Sequence, residues 1–149
     1  VRRATLADVE VILGHRRSMF ADMGFANEGE LDAMVVAARP VVADGLRDGS
    51  YQAWLAEVDG RVVAGGGVAI VGFQPTPFEP TARRAWILNM YTEPAFRRQG
   101  LARQVLESII EWCREQSFRS VFLHASDAGF PLYQSEGFKP TTEMRLLLE

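Results

Sequence analysis

Between Thr5 and Phe20 the apolar side chains fall at Leu6, Val9, Ile12 or Leu13, and Met19 or Phe20, the three-to-four spacing of one helix face. Thr5 stands where an N-cap belongs, so the pattern predicts a helix over 5–20, after a short first strand. The segment MGFANEGE breaks the period. A second helical region follows from about Glu28 to Asp48, with an interruption expected at Pro40, and Gly45, Gly49 and Ser50 close it. The period then changes from helical to extended. Two β-rich runs, 51–58 and 61–72, flank Asp59-Gly60, a strong hairpin signal, and should pair antiparallel. A proline-rich loop over 73–83 leads into RAWILNMYT, a buried strand over 84–92 that Glu93-Pro94 ends. Leu101, Val105, Leu106, Ile109, Ile110 and Cys113 lie on one face of a helix running to about Gln116. SVFLHAS (120–126) reads as a short strand, DAGFPLYQSEGF (127–138) as a short helix ending at Gly137, and TEMRLLLE (142–149) as a final strand.

This order, β-α-α-β-β-β-α-β-α-β, has antiparallel hairpins first and a strand–helix–strand crossover later. It predicts an α/β (α+β) mixed sheet with helices on both faces. The 149 residues and 48% hydrophobic content suit one compact domain over 1–149. A formal net charge of −3 argues against nucleic-acid and polybasic membrane partners, which need a cationic footprint. One cysteine, Cys113, allows no intramolecular disulfide and no four-thiolate metal site, and no metal is expected. With that single cysteine a reducing cytoplasm is the expected setting, and no run approaches the roughly 20 apolar residues of a membrane span.

The stretch TEPAFRRQGLA, Thr92 to Ala102, sets two arginines at a helix start, where backbone N–H groups already make the potential positive. That composition makes sense if an anion sits there. Arg97, Gly100 and Ala102 form R-x-x-G-x-A at a loop-to-helix junction: small residues leave the backbone unscreened, and the first-turn N–H groups lack intrahelical partners. Arg97, Arg98 and Arg103 can add charge-assisted contacts to a phosphate. The alternative is a solvated basic loop with an ordinary glycine. Neither G-x-x-x-x-G-K-[ST] nor G-x-G-x-x-G is present; Gly65, Gly66 and Gly67 read as a bulge or close backbone approach inside a strand.

The strand, this motif, the amphipathic helix, VFLHAS and then Tyr133 four residues before Gly137-Phe138 together resemble the Gcn5-related N-acetyltransferase superfamily. The resemblance covers essentially the whole chain and is most specific in the C-terminal half. It implies the acyl-CoA N-acyltransferase fold, a mostly antiparallel sheet with a splayed parallel strand pair, and acetyl-CoA as the acetyl donor. By the same resemblance Met90, Tyr91 and Thr92 meet pantetheine and thioester. The N–H groups of Arg98, Gln99, Gly100, Leu101, Ala102 and Arg103 hold the pyrophosphate.

Acyl transfer to an amine needs a neutral nucleophile, a polarised carbonyl and a protonated leaving thiolate. The resemblance assigns the general acid to Tyr133, whose alternative is a packing tyrosine. A phenol of reference pKa about 10 can deliver a proton to a thiolate whose acid is near 8.5. A backbone N–H near Tyr91 is the oxyanion donor. For the amine's proton, Asn89 can position a water, His124 carries an imidazole, a side-chain type suited to proton removal, and Glu93 is a turn residue that can also accept. Asp127 stands where many relatives carry an asparagine that bonds pantetheine; it can instead cap the helix.

The acceptor is a small-molecule or peptide amine of open identity, in a pocket expected between the first two helices and the 73–83 loop. Asp22, Glu28, Glu30 and Asp32 suit a cationic amine there. A non-catalytic acyl-CoA-binding module is the alternative function, and a homodimer is one open oligomeric state.

Overall fold

The structure, a computed structural model, describes residues 1–148. Its elements are β1 (Arg2–Arg3), α1 (Val9–Asp22, entered by a 3-10 turn at Leu6–Asp8), α2 (Glu28–Asp48), β2 (Tyr51–Val58), β3 (Arg61–Gly72), β4 (Arg83–Thr92), α3 (Leu101–Glu115), β5 (Val121–Leu123) and α4 (Phe130–Ser135). The sheet order is β1-β2-β3-β4-β5; the first three pairings are antiparallel and β4–β5 is parallel.

Strand alternation divides the core between the two faces. In β2, Tyr51, Ala53 and Leu55 pack beneath α1 and α2 with Val9, Ile12, Leu13 and Val42. Trp54 and Ala56 point the other way and join Val105, Leu106, Ile109 and Cys113 of α3. The hairpin turn has Asp59 and Gly60 both at positive φ (51° and 76°), the backbone a two-residue turn needs to match strand twist.

Two expectations are corrected. Pro40 does not interrupt α2, which is continuous from Glu28 to Asp48. Pro40 lies on the solvent side, where water can satisfy the carbonyl it frees, while Leu31 and Val42 hold both halves against the core. Nor do 142–148 form a strand: they pair with nothing, and Met144, Leu146, Leu147 and Leu148 are exposed. Glu149, the last residue of that expected strand, lies outside the described residues.

The 73–83 loop is anchored at the start of β4. Glu79 is buried and accepts the backbone N–H of Arg119 (2.8 Å) and the Thr81 hydroxyl (2.8 Å), and Arg84 stacks on Phe73. About 20 Å of strand separates that anchor from Asn89.

Candidate active site

β4 and β5 pair only at Ala85–Val121, Trp86–Phe122 and Ile87–Leu123. β5 then ends, whereas β4 continues to Thr92 with its outer edge free of any strand partner. The two parallel strands therefore part into a V. Within the V, β4 is bulged: Gly65 opposes Tyr91 and Gly67 opposes Leu88, so Asn89 and Met90 together face Gly66. Asn89 adopts φ 60°, a left-handed conformation that asparagine tolerates better than most residues.

The bulge is held from behind. Arg16 donates to Asn89 Oδ1 (2.7 Å), and Asn89 Nδ2 donates to the Tyr51 hydroxyl (2.9 Å). Burial pushes the Tyr51 phenol up to about 12, so it stays neutral. A Cβ on Gly67 would lie 2.3 Å from that hydroxyl, on Gly66 2.1 Å from Met90 Sδ, and on Gly65 2.8 Å from Leu55. The glycine triplet thus serves close packing of side chains across β3.

At the mouth of the V the chain turns through a 3-10 segment, Pro94–Phe96, into α3. Arg98 (φ 62°) and Gly100 (φ 82°) are both left-handed, and the first α3 ladder bond runs from Gln104 N–H to the Gly100 carbonyl (3.1 Å). Among the described residues no acceptor meets the N–H groups of Arg98, Gln99, Gly100, Leu101, Ala102 or Arg103. Six successive free donors at a helix N-terminus form a cradle suited to a phosphate, and nothing lies within 4 Å of where a Gly100 Cβ would stand.

The arginines divide their work. Arg97 donates to the Thr92 carbonyl (2.9 Å), pairs with Asp22 and lies over the Tyr91 ring. Arg103 reaches Ser135 (2.9 Å) and Glu136 on α4. Arg98 has no side-chain partner among the described residues. Thr92 Oγ1 is buried without a hydrogen-bond partner.

Tyr133 is buried on α4, edge-on to Phe138, with room for its ring made by Gly129. Burial raises its phenol above the ordinary value, and its hydroxyl has no partner among the described residues. His124 follows β5 and sits edge-on to Trp86; its Nε2 meets Glu143 at 2.7 Å, so it faces the C-terminal segment. Asp127 is exposed in the turn before α4 and does not cap it: the α4 cap is Gly129, whose N–H reaches Ser126. Glu93 pairs with Arg61.

His15 escaped the sequence reading although it follows Ile12 by three on the buried face of α1. Its Nε2 is buried without a partner, its ring lies 5.1 Å from that of Tyr91, and burial lowers its pKa, favouring the neutral base. It lines a void of about 10 Å³ with Tyr51, Gly65 and Asn89. The acidic field expected on α1 and α2 is largely spent internally: Asp22 pairs with Arg97, and Glu28 and Asp32 with Arg17. The ionic group at the bulge is instead the half-buried Arg16, with no carboxylate partner among the described residues.

The family model for the acetyltransferase (GNAT) family matches residues 16–138, and the chain belongs to that family of acetyl-CoA-dependent acyltransferases. The Escherichia coli (strain K12) uncharacterized N-acetyltransferase YjgM is 30% identical over 152 residues, covering 93% of this chain and 81% of that protein. Human N-acetyltransferase 8 is 31% identical over 93 residues, and the match spans 59% of this chain but only 38% of the human protein. Among solved structures, a GCN5-related N-acetyltransferase of Ralstonia eutropha JMP134 superposes with a TM-score of 0.92 at 32% identity, covering 99% of this chain and 96% of that one. A predicted acetyltransferase of Clostridium acetobutylicum, solved with acetyl-CoA, gives 0.89 at 28% identity, covering 99% and 94%.

Proposed function

We propose that this protein is an acetyl-CoA-dependent N-acetyltransferase that passes the acetyl group to a primary amine by direct attack on the thioester, with Tyr133 as general acid. The observation that carries the reading is the run of six unpartnered N–H groups from Arg98 to Arg103 at the mouth of the splayed strands. These donors would hold the diphosphate, with Arg98 adding charge. Met90, Tyr91 and Thr92 would flank the pantetheine arm and thioester along the unpaired edge of β4, where a backbone N–H is available to polarise the carbonyl. Asp127, in the turn before α4, would meet the pantetheine arm.

Tyr133 keeps its proton at neutral pH because burial raises its pKa, and its unpartnered hydroxyl is free to protonate the departing thiolate. His124, a water held by Asn89, and the neutral imidazole of His15 are the candidates for the amine's proton. The acceptor is a small-molecule or peptide amine.

A thiol-release assay with acetyl-CoA and a panel of primary amines tests the reading. Cys113 does not interfere, since burial shelters its thiol and pushes it up to about 11. We expect release with at least one amine class, and Tyr133→Phe to lower kcat about 10²–10⁴-fold with little change in KM for acetyl-CoA. Tight acetyl-CoA binding with no release from any amine would point instead to a non-catalytic acyl-CoA module; an unchanged kcat in Tyr133→Phe would remove that residue's role.

A further inference from the structure

Among the described residues three buried side-chain polar atoms lack a hydrogen-bond partner: His15 Nε2, Arg16 Nε and Thr92 Oγ1. Buried polar atoms in folded proteins are nearly always paired, so each exception needs a cause. All three belong to α1 and the end of β4, and they meet at one place. The His15 ring lies 5.1 Å from that of Tyr91, Arg16 Nη1 donates to Asn89 Oδ1 (2.7 Å), and Thr92 follows Tyr91 in β4. The void of about 10 Å³ beside His15 has room for one water, but Arg16 does not line it.

Arg16 differs from the other two because it is charged. It lies half-buried over Phe20, its guanidinium carbon 5.0 Å from the ring centroid, and its near neighbours are the neutral Asn89 amide and Tyr51 phenol. Its Nη2 also has no partner among the described residues and is not enclosed. Elsewhere the chain pairs guanidinium groups with carboxylates, as at Arg2, Arg17, Arg39 and Arg97. A partly buried cation without a counter-charge is costly, and a neutral side chain could hold Asn89 as well. Support of the bulge therefore does not account for the charge. The Phe20 stack fixes the plane of the guanidinium and leaves the edge at Nη2 for a planar anion.

We infer that the acceptor is an amino acid, whose free carboxylate is bound by Arg16 while its α-amine faces the thioester. On the acetyl-transfer reading, on which this rests, the thioester lies along Met90–Thr92, the residues that follow Asn89 in β4. An α-amino acid carries its amine two bonds from the carboxylate carbon, which suits so short a span. His15 Nε2 and Thr92 Oγ1 stand on the amine's side. A polycationic amine would offer Arg16 only like charge, and Asp22, Glu28 and Asp32, which were expected to attract it, are held by Arg97 and Arg17. In the transfer the C–N bond forms as the C–S bond breaks, Tyr133 gives its proton to the sulfur, and the nitrogen's proton leaves through one of the groups named above. The products are an N-acetylamino acid and CoA.

Thiol release is measured with each protein amino acid, its carboxamide and its decarboxylated amine, and the same compounds are titrated by calorimetry into the unmodified chain saturated with CoA. The carboxamide has the less basic amine, so chemistry alone favours it at neutral pH. We expect kcat/KM and affinity at least about tenfold higher for an amino acid than for its carboxamide, the order of a charge-assisted contact. Arg16→Gln should bring that ratio close to one, and Arg16→Lys should keep part of it. Release without preference for the carboxylate, or a ratio that survives Arg16→Gln, would overturn the inference and leave the transfer reading standing. Carboxylate-selective binding with no release from any amine would uphold the Arg16 site and contradict the transfer reading. Each ratio is taken within one protein, so a general loss of activity cancels; should Arg16→Gln fail to fold, the calorimetry on the unmodified chain decides.

Discussion

Gly100 combines two requirements that no other residue type meets together. Its φ of 82° would strain any L side chain, and it lies in the middle of the run of free N–H groups, with open space before it. Gly100→Val should therefore lower folding stability by about 1–2 kcal/mol, the order of cost for a side chain in the left-handed region. It should also weaken acetyl-CoA binding more than about tenfold by screening the cradle. Thermal unfolding and titration calorimetry read the two effects separately; unchanged affinity in a folded variant would count against the cradle. R-x-x-G-x-A was legible in the sequence because spacing alone brings its parts together. His15, Arg16 and Tyr51 were not: they meet Asn89 and Tyr91 from distant α1 and β2, and only the fold brings them there. The acidic residues misled for a related reason, since their arginine partners lie elsewhere in the chain or its folding.

At the scale of elements, β1 is only two residues long and depends on an ionic clasp. Arg2 donates to both Asp8 carboxylate oxygens (2.8 and 2.9 Å) and to Glu57 (2.6 Å), while the Thr5 N–H adds a bond to Asp8 (2.7 Å). The Arg2 hydrogen bonds, more than the Thr5 ones, hold the Asp8 carboxyl at about 2, against an ordinary 3.8. A carboxyl lowered on folding contributes fully above its unfolded pKa, and that contribution fades as pH falls through the folded one. With allowance for the exposed Arg2, on the order of 1–2 kcal/mol should be lost between about pH 4 and pH 2. Denaturant midpoints across that window should show the loss, and Asp8→Asn should remove this part of it; an unaltered slope in Asp8→Asn would refute the clasp.

Elements were legible where their periodicity is satisfied within the chain. α3 and the β2–β3 hairpin show this, since their apolar stripes find partners close by. Residues 142–148 carry an apolar, strand-like composition but find no strand partner among the described residues, so the expected final strand does not form. Pro40 shows the converse: a local rule gives way when packing on both sides of it carries the helix through.

On the scale of the whole molecule, the sheet is open in two places with different chemistry. The V between β4 and β5 opens onto free N–H groups and Arg98, whereas the gap outside β5 is lined both by aromatic and aliphatic side chains and by His124, Lys139, Glu143 and Arg145. The first suits an anionic diphosphate. No helix among the described residues is long and apolar enough to cross a membrane.

Backbone amide NMR of nitrogen-15-labelled protein during titration with acetyl-CoA tests the central claim most directly. The amides of Arg98 through Arg103 should shift most, followed by those of Met90 to Thr92. If these stayed still while amides of 121–125 responded, or if no amide moved at saturating acetyl-CoA, the assignment of the donor site would be contradicted.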